Sequence, residues 1–511
     1  MTMHSDGQTT IVWLRRDLRL AANPALVAAA GLARGRGAGL LPVFVWEASG
    51  RRPLAPGAAS RWWLWHSLTA LEGDLRRAGS RLAVTAGAPA RALVEAARAS
   101  SAGTVVWAAG LEPGERADDE AVSAALAAVG VVARVVASGN VLLDPAGPLT
   151  RESRPYTVFT PYWRACLTSL AMSPAGGVAP APGRLPQAPP KPPGLDLARL
   201  ETEAVRPWSA RFTAAWRPGE AGAGAQLARF LDGAMVAYED DRDRPDLAGT
   251  SRLSPHLHWG EITAAQVWHA VEGALAEAGL DPAEGVALRR HDVESPGLRR
   301  SAGAFLRQLG WRELGHHLLH HFPETPEHPL RPAFARFPWR DDPVALDAWQ
   351  RGLTGYPFVD AGMRELWATG WMHNRARLVA ASLLVKDLLL PWRLGKEWFA
   401  ETLVDADLAD NALGWQWVAG SGADAAPYFR VFNPVTQGRR FDPDGAYVRR
   451  WIPEIAGLAD EHVHAPWDAP QHALAAGGVR LGETYPRPIV DHSEARARAL
   501  AAYDVVRNAS R

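Results

Sequence analysis

The residues with the most chemistry to offer are indoles set among polar side chains. Gly370-Trp-Met-His-Asn-Arg-Ala-Arg377 is followed by Trp392 and then by Gly414-Trp-Gln-Trp417, with Trp311 and Trp339 upstream. The chain carries 22 Trp against 13 Phe and 8 Tyr. A core that only has to be filled is built from Leu and Ile, which carry no polar atom. Indole adds a flat face for stacking on flavins or bases and an N–H that needs a partner when buried. It also gives up electrons one at a time. These residues point to a redox-active aromatic cofactor or to base stacking.

Thr250-Ser251-Arg252-Leu253-Ser254 follows Gly249 and precedes Pro255. Its three hydroxyls, backbone N–H groups and a helix start with Ser254 as cap and Pro255 in the first turn suit an anion. His316, His317, His320 and His321 form two i,i+4 pairs, but no carboxylate or Cys completes a zinc set, so no metal is expected. Asp405, Asp407, Asp410 and Asn411 lack the Gly and closing Glu of a calcium loop. They read as carboxylates holding a polar ligand or an Arg.

These residues need a scaffold, and its pattern changes along the chain. The first third alternates apolar runs at 10–14, 40–46, 81–85, 104–107 and 131–136 with helical stretches at 62–78 and 90–99. That predicts a parallel, Rossmann-like sheet with crossover helices. Neither GxGxxG nor GxxxxGK[ST] occurs. Residues 174–193 are rich in Pro, Ala and Gly and read as linker. Beyond them the signals are helical, at 254–278, 303–321, 344–352, 359–369, 374–388 and 396–403. The expected organisation is an α/β domain over 8–140, a linker over 141–220 and a large all-α domain over 221–495.

Composition limits the function. Across 511 residues, 55 Lys+Arg balance 55 Asp+Glu, which excludes coating of nucleic acid by bulk charge but not a local basic patch. The 47% apolar content excludes disorder for most of the chain. A lone cysteine, Cys166, excludes an internal disulfide. Residues 1–10 carry no apolar signal segment, and the apolar run 378–385 is too short to span a membrane. A cytoplasmic monomer without a membrane partner is expected.

Over 230–453 the chain resembles the FAD-binding domain of the photolyase/cryptochrome family. The motifs are Gly-Thr-Ser-Arg-Leu-Ser-Pro (249–255), Leu-Gly-Trp-Arg-Glu-Leu (309–314), Thr-Gly-Tyr-Pro-Phe-Val-Asp-Ala-Gly-Met-Arg (354–364), Trp-Met-His-Asn-Arg (371–375) and Asp-Ala-Ala-Pro-Tyr-Phe-Arg-Val-Phe-Asn-Pro (424–434). Trp-Leu-Arg-Arg-Asp-Leu-Arg (13–19) is similar to the opening of the family's antenna domain.

The resemblance implies FAD folded back inside the helical domain, with Thr250, Ser251, Arg252, Leu253 and Ser254 at its phosphates and Tyr238 flanking them. Gln308, Arg312, Trp371, Asn374 and Ala406 would also line the cofactor. Arg377 and Asp405 match the ion pair beside the flavin, Asp407 a carboxylate at its edge, and Asn411 the residue facing N5. Trp415, Trp392 and Trp339 match an electron relay to the surface. Trp311 and Trp417 would hold a flipped-out pyrimidine dimer, with Asn374, Arg375, Leu378, Gln437 and Arg242 as further lesion and DNA contacts. A second, antenna chromophore of folate or deazaflavin type is implied, with FMN or none as alternatives.

Within the family, light-driven repair of cyclobutane dimers is favoured. Repair of (6-4) photoproducts is disfavoured, because Asn374 and Leu378 stand where that branch has His residues. A cryptochrome-type light sensor is the alternative. Plant cryptochromes resemble the chain at Ser60-Arg61-Trp62-Trp63, yet carry Asp where this chain has Asn411, which cannot protonate N5. Gln308 replaces the Glu usual in dimer-repair enzymes. A flavin oxidoreductase working in the dark lacks support without a dinucleotide fingerprint.

Overall fold

Five parallel strands stand in the order β3-β2-β1-β4-β5 in the computed structural model, which describes residues 8–47, 56–172, 178–189, 194–281, 297–424 and 429–508. They are β1 (Thr9–Leu14), β2 (Leu40–Trp46), β3 (Ala83–Ala86), β4 (Ala102–Ala108) and β5 (Val132–Val136). β1 and β2 are buried at every position, as expected of central strands covered by helices on both faces. The edge strand β5 leaves Val132 and Val135 exposed. The strand expected at 81–85 begins two residues late, at Ala83, and the Leu82 N–H donates to the Glu72 carboxyl instead of to a neighbouring strand. Residues 1–7, 173–177, 190–193 and 425–428, which carry parts of the N-terminal, linker and 424–434 readings, lie outside the described residues.

Contacts divide the chain into two units. The first comprises Met1–Tyr156, Thr160–Gly233 and Ser251–Pro323, and the second Thr157–Phe159, Ala234–Thr250 and Glu324–Arg511. The first unit therefore holds the sheet and the Gly297–His321 helix. The second holds the helices Pro343–Gln350, Pro357–Thr369, Asn374–Ser382, Trp392–Thr402, Leu408–Ala419, Pro434–Phe441, Ala446–Trp451 and His492–Asn508. Its core joins Trp349, Phe358, Leu384, Trp392, Phe399 and Trp415. Among the described residues no helix is long and apolar enough to cross a membrane.

Two helices depart from the expected pattern. The run 254–278 is two helices, Ser254–His258 and Ala264–Glu277. Gly260, at φ +63°, turns the chain so tightly against Arg16 that a Cβ would lie 1.8 Å from the Arg16 carbonyl oxygen. Thr263 and Gln266 then form a reciprocal cap that starts the second helix. The 374–388 run keeps its α-helical hydrogen bonding only to Ser382 and widens into a π turn over Leu383–Asp387.

Candidate functional site

In the second unit the chain ends of three helices gather the central group. Arg377 donates through Nη2 to both oxygens of Asp405, at 2.8 and 3.1 Å, and through Nε to the Met372 carbonyl at 2.7 Å. The pair is charge-assisted and held at both ends, which fixes the guanidinium. Its carbon lies 5.9 Å from the centre of the buried Trp371 ring. Two residues beyond Asp405, Asp407 caps the Leu408–Ala419 helix by accepting from the N–H groups of Ala409 and Asp410. Asn411, in the first turn, donates its side-chain amide to the Lys396 carbonyl at 3.1 Å, and this orients the amide. Ala406 is half-buried between the two carboxylates.

The same helix carries the relay candidates. Trp415 follows Asn411 by one turn and is buried, while Trp417 is partly exposed. Trp415 is pressed onto the backbone of the helix that begins at Trp392. A Cβ on Gly395 would lie 2.0 Å from the indole. Phe399 meets the Trp415 ring edge-on at 5.1 Å, and Trp349 does so at 6.1 Å. Trp392 is buried and Trp339 half-buried against the same core, so exposure rises from Trp415 toward Trp339. Trp367 and Trp398, which the sequence does not single out, stack at 6.0 Å with planes 3° apart.

The lesion candidates in this unit form a second group. Asn374 is exposed at the start of the Asn374–Ser382 helix. Arg375 pairs with Asp243 at 2.6 Å and lies 4.2 Å over the Phe441 ring. Arg242 lies 5.6 Å over the ring of buried Tyr238. Leu378 packs on the core. Gln437 stands on the Pro434–Phe441 helix, whose last turn carries Arg439 and Arg440. His373 caps the helix of Arg375 through Nδ1, which accepts from the Arg375 N–H. Burial pushes the His373 imidazole down to about 4, opposed by the Asp243 carboxylate and reinforced by Arg375 and Arg377, so it is neutral near pH 7. Asp243, His373 and Phe441 were missed in the sequence. The visible signals were the alternating charges of Arg242-Asp243-Arg244 and a His at a helix start.

The remaining candidates belong to the first unit, except Thr250, which closes a segment of the second. Ser251 offers its carbonyl to Gln226 Nε2 at 2.6 Å. Arg252 takes φ +52° and places its guanidinium 4.3 Å over Trp216. Leu253 is buried. The cap expected of Ser254 is absent. Leu253 holds the cap position without a side-chain bond and Ser254 is the first helical residue, because the left-handed turn at Arg252 precedes the helix.

On the Gly297–His321 helix, Trp311 is half-buried, and Gln308 folds its amide nitrogen back onto the Ala304 carbonyl at 3.2 Å. Arg312 donates to the Asn140 carbonyl at 2.7 Å. Its neighbour Glu313 accepts from the N–H groups of Leu142 and Leu143, yet burial pushes its carboxyl up to about 7. Three of the four histidines have partners of their own in the fold. His317 accepts from the Tyr156 N–H and donates to the Pro145 carbonyl, which defines a neutral ring, and burial lowers its pKa to about 4. His321 bonds the Ala146 carbonyl, and His320 lies 3.2 Å from Arg116.

Two family descriptions match this chain: "DNA photolyase" over residues 10–187 and "FAD binding domain of DNA photolyase" over 305–505. The chain is 46% identical to the deoxyribodipyrimidine photo-lyase of Agrobacterium fabrum, over 97% of this chain and 98% of that one. It is 38% identical to Cryptochrome-2 of Arabidopsis thaliana, over 98% of this chain and 79% of that one. Among solved structures, a bacterial class III photolyase from Agrobacterium tumefaciens superposes with a TM-score of 0.88 at 44% identity, covering 99% and 100% of the two chains. A Synechocystis cryptochrome superposes at 0.84 with 27% identity, covering 98% and 100%. The fold and these relatives define a flavoprotein class with a parallel-sheet domain and a helical FAD-binding domain. The chain belongs to the photolyase/cryptochrome family.

Proposed function

We propose that this protein is a light-driven DNA-repair enzyme that splits cyclobutane pyrimidine dimers. One arrangement carries the reading: the Leu408–Ala419 helix bears the Asp407 cap, Asn411, the buried Trp415 and the partly exposed Trp417 in sequence. A polar edge, an electron donor and a stacking face thus stand within three turns of one rigid element.

The donor set suits FAD. Arg377 and Asp405 offer a fixed charge-assisted pair, Asp407 a carboxylate at a helix start, and Asn411 an amide that matches a flavin edge. Bound and reduced, FAD supplies a one-electron donor when excited by blue or near-ultraviolet light. Asp407 and Asn411 would hold its polar edge, and Asn411 has no proton to release. Thr250, Ser251 and Ser254 would meet its phosphates, with Tyr238, Arg252, Leu253, Gln308, Arg312, Trp371, Asn374 and Ala406 around it. Trp415, Trp392 and Trp339 would return electrons to it from the surface. Trp311, Trp417 and Leu378 would enclose the extruded dimer, because the reacting bond is out of reach in a stacked duplex. Asn374, Arg375, Arg242 and Gln437 would bind the strand. A second pigment of folate or deazaflavin type would sit in the first unit and add absorbance beyond that of flavin.

A second reading, a light sensor acting through protein partners, draws on Gln308. One of its two amide N–H groups is taken by the Ala304 carbonyl, and unlike a protonated Glu it has no proton to give. The test is the fully reduced protein with dimer-bearing DNA under blue light. Loss of dimers supports the enzyme. Tight binding of that DNA without any loss of dimers transfers the assignment to the sensor.

A further inference from the structure

Asp243 is an unexpected residue to find among candidate DNA contacts. It lies between Arg242 and Arg244 and puts a carboxylate 2.6 Å from the guanidinium of Arg375. The side chains are 18% exposed for Arg375 and 34% for Asp243, so the pair sits at the rim of the unit with its guanidinium partly covered. By charge alone, an acidic side chain here weakens the grip on any phosphate.

The geometry around the pair says what that carboxylate does. Arg375 lies over Phe441 at 4.2 Å, and its Nε is buried with no hydrogen-bond partner. Arg440 approaches the same ring at 5.1 Å. The backbone N–H of Arg375 is tied to His373. The guanidinium is thus fixed by a ring on its face and a carboxylate at one nitrogen. An arginine has five N–H donors in a rigid fork, so one carboxylate leaves others to meet a phosphate. An unrestrained Arg would lose its rotamer freedom only on binding, and that loss weakens affinity.

We propose that Asp243 is a positioning residue: it holds Arg375 against Phe441 in the orientation that meets the phosphate beside the lesion, and so contributes to preference for damaged over undamaged DNA. The proposal rests on the reading of Arg375 as a strand contact.

The two accounts of Asp243 predict opposite signs. If it merely repels phosphate, Asp243→Ala tightens binding to damaged and undamaged DNA by the same factor. If it positions Arg375, Asp243→Ala lowers the ratio of the two affinities by about tenfold, the factor that corresponds to 1.4 kcal/mol. Asp243→Asn, which keeps an acceptor for the guanidinium, restores most of the ratio. Fluorescence anisotropy on holoprotein, with a dimer-bearing oligonucleotide and its undamaged twin, measures both. A common factor for both DNAs in Asp243→Ala overturns the proposal, as does a lost ratio that Asp243→Asn leaves equally low. Should the alanine variant fail to fold, an unchanged ratio in Asp243→Asn together with a lowered ratio in Asp243→Leu supports positioning, and equal ratios in both overturn it. Arg375→Ala separates the underlying reading: unchanged binding to damaged DNA removes Arg375 from the contact set, and the role of Asp243 falls with it.

Discussion

The two units each hold tryptophan in two ways, bonded at the indole N–H or without a partner there. In the first, several indoles are tied down at the polar tip, while Trp62 and Trp259 are buried with no hydrogen-bond partner for Nε1. Trp63 donates to Glu261, Trp107 to Asp119, Trp268 to Glu272 and Trp65 to the Leu197 carbonyl. Trp63 and Trp107 are fully buried, and their rings meet other rings edge-on or tilted. In the second unit, Trp415 is buried with no hydrogen-bond partner for its Nε1 and is held by ring contacts and by the gap at Gly395. Trp349, which bonds the Ala380 carbonyl, shows that structural indoles occur there too. A high Trp count therefore does not identify redox residues. Bonding of the N–H does not tell them apart either, because Trp62 is fully buried and unpaired like Trp415; the place of Trp415 one turn beyond Asn411 on the Leu408–Ala419 helix is what singles it out.

The most direct way to break this comparison is to exchange the two kinds. Trp415→Phe should abolish photoreduction of bound oxidised flavin under blue light with an external donor. Repair should survive once the flavin is reduced chemically. Trp63→Phe should leave photoreduction intact but lower stability by about 1–3 kcal/mol, since it strips a donor from the buried Glu261 side chain. Absorbance kinetics and chemical denaturation measure the two. If both variants lose photoreduction, or neither does, the distinction between anchor and relay is wrong.

Arg375→Ala should weaken binding to damaged DNA by about 1–2 kcal/mol and reduce the slope of log affinity against log salt by about 0.7–0.9. A titration across salt concentrations checks both, and an unchanged slope removes the phosphate contact. No anchoring residue of the first unit should move that slope.

Glu313 sharpens the comparison from the other side, as a buried acid in the first unit. Its carboxyl is raised from 4.5 to about 7, chiefly by burial. Between those values the folded state binds more protons than the unfolded one. Stability should therefore fall as pH rises from 4.5 to about 7 and show no further contribution above. Glu313→Gln should remove that component of the pH profile. A profile identical to the parent's would mean that the carboxyl is not titrating there.

The smallest effect is expected at Gln308. One N–H of its amide is held by the Ala304 carbonyl and the second can still donate to a dimer carbonyl, so one donor replaced by another costs little. Gln308→Glu should raise the repair yield per photon slightly or leave it unchanged, and Gln308→Ala should lower it by a few-fold. A yield that falls in Gln308→Glu would reverse the assigned role.

Much of this protein was legible in its order of residues. Apolar runs placed the strands to within about two residues, because a central parallel strand needs unbroken β-branched and apolar side chains. The motif from Gly249 to Pro255 and the Trp-Met-His-Asn-Arg run carry the resemblance to the family that the chain belongs to. Other features depend on residues far apart in sequence. Gly260 breaks a helix because Arg16 comes against it, which no local pattern contains. Arg377 finds Asp405 across 28 residues, and Trp415 fits onto Gly395 because one helix lies on another. Asp243 reads in the sequence as one more surface charge. Only folding sets it against Arg375, because a turn residue and a helix residue 132 positions apart meet through tertiary packing rather than through any local preference.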